Sequence, residues 1–140
     1  MNNININTGA VEYNINGVCP IRFNPTDSDF IKRLFAVYEN LDKKQDAYKA
    51  EIEKMADKRK VFEIAGKRDK EMREMIDDLF NAPVCDAVFG TMNVYALAGG
   101  LPVWCNLIFA IMDEIDTTFA REQKATNPRI QKYMERHNKK

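Results

Sequence analysis

Charge is segregated along this chain into two different materials. Between Glu39 and Asp78, 23 of 40 residues are Asp, Glu, Lys or Arg, whereas from Leu79 to Met112 the single charge is Asp86. A segment that polar cannot build a core alone, and its few apolar residues must form a narrow helical stripe that packs on something else. A segment that apolar must be covered, by the rest of the chain or by a partner. Over the 140 residues the charges cancel, 21 basic against 21 acidic. That balance argues against a dedicated nucleic-acid-binding module, which needs a clustered excess of Lys and Arg. The length is that of one domain, and with 45% hydrophobic residues the chain is not disordered throughout. Residues 1–126 are expected to form a single domain, followed by a basic C-terminal tail, 127–140.

The fold class expected is α+β, predominantly α. Val11, Tyr13 and Ile15 alternate with Glu12, Asn14 and Asn16, and Asn16-Gly17 is the dipeptide that tolerates positive φ in a type I′ turn. A β-hairpin over 11–23 follows, with Pro20 confining the return strand to an edge or a bulge. Ile4 and Ile6, which also alternate with Asn, are either a third strand or a loose arm. Thr26, with its hydroxyl as cap and Asp27, Ser28 and Asp29 after it, marks a helix start. Leu34, Leu41, Tyr48, Met55 and Phe62 then recur at seven-residue spacing beside the row Ile31, Tyr38, Gln45 and Ile52. This coiled-coil-like seam predicts one long helix from about Asp27 to about Lys60. Met72, Met75, Ile76 and Leu79 predict a second helix, so 27–80 is a charged helical segment. Either the first helix runs on through Gly66 as a rod, or the chain turns at Gly66 into a helical hairpin; the turn is favoured because two narrow stripes can then bury each other.

Residues 81–120 are the expected helical core. Asn81 is an N-cap candidate for a two-turn helix from Pro83 to Phe89, with Gly90 as its stop. Thr91 to Ala98 is a candidate short helix, Gly99-Gly100 a turn, and Pro102 the opening of a helix whose stripe is Leu101, Trp104, Leu107, Ile108, Ile111, Met112 and Ile115, ended by Phe119. Asn127-Pro128 breaks that helix. The uncharged run from Ala87 to Met112 is interrupted by Gly90, Asn93, Gly99, Gly100, Pro102 and Asn106, which suits a buried core better than a membrane span. The first residues lack the basic and apolar regions of a secretory signal, so a cytoplasmic location is expected.

Most catalytic chemistries lack their residues here. The one histidine, His137, lies in the C-terminal tail, where a terminus cannot hold an imidazole rigidly for a triad or a metal site. Cys19, Cys85 and Cys105 are odd in number and show no C-x-x-C pattern, so packed thiols are expected, with neither disulfide nor zinc. No phosphate-binding glycine motif is present, and no cofactor is expected. Asp77 with Asp78, and Asp113 with Glu114 and Asp116, could pair as acid and base, but in so acidic a chain such residues mark a solvated helix face. What remains is binding: Phe89, Tyr95, Leu101, Trp104 and Phe109 are the candidate partner-binding residues, either as core or as an apolar groove.

The run Val84-Cys85-Asp86-Ala87-Val88-Phe89-Gly90, followed by Gly100-Leu101-Pro102 and the apolar helix from Val103 to Ile115, resembles the small tail assembly chaperones of phages and prophages of Gram-positive bacteria. The resemblance covers Asn81 to about Phe119. It implies a non-enzymatic protein that binds and solubilises the apolar tape-measure protein and hands it to tail-tube subunits in the host cytoplasm, without entering the mature virion. Protein partners are implied, with neither nucleic acid nor membrane among them, and self-association is left open. The charged 39–78 insert departs from the family pattern. The alternatives are a structural virion component, a head–tail connector or tail terminator, or another helical protein–protein interaction module.

Overall fold

The computed structural model describes residues 1–125 together with Lys132 and Glu135, and Leu41 and Asp42 by their backbone alone. His137, Asn127-Pro128 and most of the basic tail lie outside the described residues. The elements are β1 (Val11–Ile15), β2 (Cys19–Phe23), α1 (Ser28–Glu53), α2 (Lys58–Phe80), α3 (Val84–Phe89), β3 (Leu97–Ala98), β4 (Leu101–Pro102) and α4 (Val103–Lys124). The chain is predominantly helical with an N-terminal antiparallel hairpin, the expected class.

The hairpin forms where its turn chemistry requires. Asn16 and Gly17 sit at φ 51° and 72°, and the Val18 N–H donates to the Ile15 carbonyl at 3.0 Å, which is the positive-φ turn that matches strand twist. Pairing then runs from Ile15↔Cys19 to Val11↔Phe23. Cys19, Ile21 and Phe23 point inward, while Pro20 and Arg22 face solvent. Phe23 stacks between Tyr13, at 5.1 Å, and Phe30 of α1, at 4.4 Å, locking the hairpin onto the helices. Among the described residues this sheet has two strands: Ile4 and Ile6 form an unpaired arm.

Two expectations about the helices are corrected. The cap of α1 is Asp27, whose side chain accepts from the Asp29 N–H, while the Thr26 hydroxyl donates to Asn24 Oδ1 instead. The helical hairpin forms, but it turns at 54–57 and Gly66 lies inside α2. Asp57 is the reason: its carboxylate caps α2 by accepting from the Arg59 N–H at 3.0 Å, and a second helix that starts at Lys58 can pack antiparallel along α1. Arg68–Glu51, at 3.1 Å, and Lys44–Glu71, at 3.8 Å, mark the register between the two helices. Such exposed pairs stabilise by only about 0.2–1 kcal/mol each, so they select register more than they hold the hairpin. The single seven-residue seam is therefore divided between two helices. Of its described members only Leu34 is fully buried, in a proximal core to which Phe30, Val37, Met72, Ile76 and Leu79 also belong, and Phe62 near the turn is 74% exposed.

Asn81 also has a different role from the one expected. It adopts the left-handed conformation at φ 52°, ψ 43° and ends α2, with the N–H groups of Asn81 and Ala82 returning to the carbonyls of Asp78 and Asp77. The segment 91–98 is not helical. Its backbone donors are captured elsewhere: the Val94 N–H by Asp69 Oδ1 at 2.7 Å and the Tyr95 N–H by Asn93 Oδ1 at 2.9 Å, a competition that short polar side chains win against helix. A two-stranded turn follows, β3 and β4, with Gly99 and Gly100 at φ 63° and 83°. The Val103 and Trp104 N–H groups at the start of α4 then donate to the carbonyls of Ala96 and Val94. Trp104, Ile108, Ile111 and Ile115 of α4 complete the core.

The divided seam makes a direct prediction. Leu34→Ala, at a fully buried position, should lower the unfolding free energy by about 2–5 kcal/mol, whereas Phe62→Ala should change it by less than about 0.5 kcal/mol. Urea unfolding followed by circular dichroism measures both, and equal losses at the two positions would contradict a turn at 54–57.

Candidate protein-binding surface

A polar stripe on α2 positions the surface. Asp69, Arg73 and Asp77 are spaced by four residues, so they lie on one face of the helix. The Arg73 guanidinium pairs with Asp69 at 3.0 Å and Asp86 at 2.8 Å, and donates to the carbonyls of Gly90, at 2.7 Å, and Met92, at 2.6 Å. Asp69 also accepts from Val94, Asp77 Oδ1 accepts from the Cys85 N–H at 2.9 Å, and Asn93 Nδ2 donates to the Ala65 carbonyl at 3.2 Å. Asp77, one of the paired carboxylates, is thus engaged in fastening α3 to α2. Asp113, Glu114 and Asp116 lie on the exposed face of α4. The alternating charges at 69, 73 and 77 were the sequence signal for this staple, but their partners lie 8–25 residues away in a segment whose conformation local pattern does not define.

The five candidate binding residues separate into three settings. Trp104 is 1% exposed and belongs to the core, so it is corrected from surface to scaffold. Its ring lies 6.2 Å from Tyr38 and 6.5 Å from Tyr95. Tyr95 and Phe109 are half-buried at the edges of the same aromatic cluster, Tyr95 stacked on Tyr48 at 5.8 Å and Phe109 tilted against Tyr38 at 5.6 Å. Phe89 is half-buried elsewhere, in a slot with Ile15, Val88, Val103, Leu107 and Ala110. Leu101 is exposed, and Leu97 beside it on the Gly99-Gly100 turn is 73% exposed. The structure therefore does not gather these five side chains into one patch. Helical periodicity identifies which residues of α4 are apolar, but not which flank the neighbouring elements cover.

The slot is about 250 Å³ and continues into a second hollow of about 250 Å³ lined by Tyr13, Asn14, Ile15, Asn16, Leu107, Ala110, Ile111 and Glu114. Together they run between β1 and α4. A third, more polar hollow of about 440 Å³ prolongs them along α4 past Glu114, Thr118 and Arg121, with Asn7, Thr8 and Gly9 on its other side. No local sequence signal marks this slot, because its walls come from residues 13–16 and 88–114, far apart in the chain.

No group of three or more His, Cys, Asp or Glu among the described residues could hold a metal ion, and no helix among them is long and apolar enough to cross a membrane. Comparison of the chain with protein-family models, with curated proteins and with solved structures gives no match.

Burial sets the titration behaviour of this region. Burial first, and then the Asp77 carboxylate, push the Cys85 thiol up to about 12, and burial pushes the Tyr95 hydroxyl up to about 12. Both groups are neutral when protonated, and their folded values exceed their ordinary values of 9.0 and 10.0. The stability they contribute is therefore complete below pH 9 and is lost as pH rises towards 12. Melting temperature should accordingly stay level from pH 7 to about pH 8.5 and fall steadily above pH 9; a level profile to pH 11 would contradict it. A second prediction concerns Trp104, whose buried Nε1–H has no partner among the described residues. Trp104→Ala should cost about 3–5 kcal/mol, and Trp104→Phe clearly less, since no hydrogen bond is lost.

Proposed function

We propose that this chain is a non-enzymatic tail assembly chaperone, a protein that binds an apolar helical tape-measure partner, keeps it soluble, and promotes assembly of tail-tube subunits around it. The observation that carries the reading is the exposed pair Leu97 and Leu101 on a turn whose base is tied to the core, with exposed Met92 earlier in the same segment. Isolated apolar residues are ordinary on a surface, but here Leu97, set opposite Pro102, is 73% exposed and Leu101, set opposite Ala98, 40% exposed, both on one short turn. Their burial against a partner would contribute about 25 cal/mol per Å². The charged α1–α2 hairpin supports the same reading, since a carrier of an aggregation-prone chain needs a strongly solvated body. The family itself rests on the resemblance of 81–119, and host cytoplasm is the location that goes with it.

The partner surface proposed is Leu101, Leu97 and Met92, with Trp104 as scaffold; Phe89, in the slot by β1, and Tyr95 and Phe109, packed on Tyr48 and Tyr38, lie outside it. Co-expression with an apolar, helical tape-measure protein, followed by affinity capture, tests the surface. The double variant Leu97→Asp, Leu101→Asp should lower capture at least tenfold while its melting curve matches the unmodified chain. Capture that persists in the folded double variant would overturn the surface. Mass spectrometry of purified particles separates the chaperone, which should be absent, from a connector or terminator, which should be present.

A further inference from the structure

The unpaired N-terminal arm and the empty slot between β1 and α4 have matching features. Residues 3–7 alternate Asn and Ile as a strand does, yet Ile4 is 90% and Ile6 is 78% exposed. β1 pairs with β2 on one side only. Tyr13, Asn14, Ile15 and Asn16, residues of both faces of the strand and its turn, all line the slot, so β1 meets it edge-on. The outer edge of β2 is the poorer template, because Pro20 has no N–H to offer. Opposite β1, the slot wall is Val103, Leu107, Ala110 and Ile111 of α4.

The spacing agrees as well. The two apolar hollows of the slot are centred four residues apart on α4, about 6 Å at 1.5 Å per residue, and alternate side chains of a strand are about 6.8 Å apart. Ile4 and Ile6 would each enter one hollow, leaving the intervening Asn side chains outward.

Residues 7–9 of the chain's own arm are anchored at the polar end of the slot, and Ile4 and Ile6 before them stay exposed. Asn24 Nδ2 donates to the Thr8 carbonyl at 2.8 Å. Gly9, at φ 72°, lies so close to Asn24 that an added Cβ would stand 2.6 Å from Nδ2. We propose that residues 2–7 of one copy add as a third strand to the free edge of β1 in a second copy, filling its slot with Ile4 and Ile6, so that the protein self-associates by strand donation. This goes beyond the proposed function and does not depend on it.

The test uses the purified full-length chain alone, with no tape-measure partner present. By light scattering coupled to size exclusion, the unmodified chain should run at a multiple of 16.2 kDa, and Ile4→Asp, Ile6→Asp should run as a monomer. Because both side chains are exposed in the single copy, that variant should melt as the unmodified chain does when both are diluted to the monomer. A second measurement locates the contact: mixing chains that carry Ile6→Cys with chains that carry Ala110→Cys should yield a disulfide between the two. A monomeric unmodified chain, an oligomer that survives the Ile4 and Ile6 substitutions, or a disulfide that forms only within single chains carrying both cysteines would each overturn the proposal.

Discussion

Arg73 joins the two halves of the molecule. Its side chain is 14% exposed, and its guanidinium reaches Asp69 on its own helix, Asp86 on α3, and the carbonyls of Gly90 and Met92 in the segment after α3. A guanidinium removed from water to that degree is tolerated only when its donors are met by good acceptors. The acceptors it finds define the path of the chain from 86 to 92. Asp69 and Asp77 extend the same stripe in both directions, so the segment between α3 and α4 is held against α2 by charge-assisted bonds. With that path set, the carbonyls of Val94 and Ala96 receive the first N–H groups of α4, and α4 is aimed so that Trp104, Ile108, Ile111 and Ile115 close the core.

The contrast between charged and apolar segments takes on a spatial meaning from this arrangement. The charged segment supplies both a solvated body and, through one stripe of α2, the polar fastenings for the apolar segment. Only the proximal part of the α1–α2 pair acquires a third layer, from the hairpin through Phe23 and Phe30 and from α4 through Tyr38 and Trp104. The distal part has only two helices, so Ile52, Met55, Val61 and Ile64 stay half-buried. A two-helix segment buries each stripe on one side only, and charged residues around it keep it in solution.

How much was legible in advance differs from element to element. The β1–β2 turn was, because Asn-Gly with positive φ at both positions is a local steric property, and so was the end of α3 at Gly90. The seven-residue seam was legible as helix but not as one helix or two, since Leu34 and Phe62 carry the same periodic signal whether or not a cap at Asp57 intervenes. The 91–98 segment was misread for a related reason. Its residues tolerate helix, and what prevents it is the capture of Val94 by Asp69, a residue 25 positions earlier. Among the candidate binding residues, Trp104 and Leu101 looked alike as apolar members of one block; their opposite burial follows from which elements pack on them.

Local pattern already implies the class of the molecule: a hairpin from turn sterics, amphipathic helices from apolar spacing, an apolar block that needs cover, and no histidine outside the C-terminal tail. These are local properties, set within a few residues by backbone sterics and periodicity. Packing of the whole chain settles the rest: where the long helix reverses, that 91–98 is tied down without helix, that Trp104 is core while Leu97 and Leu101 stay outside, and that a slot opens between β1 and α4. The reversal needs α2 to pack back along α1 from its cap at Asp57, and the others depend on residues far apart in the chain, such as Arg73 with Asp86, Asp69 with Val94, and Ile15 and Leu107 on the walls of one slot. Which distant partner satisfies a buried donor or covers an apolar flank is settled by the packing of the whole, and a local pattern contains no record of it.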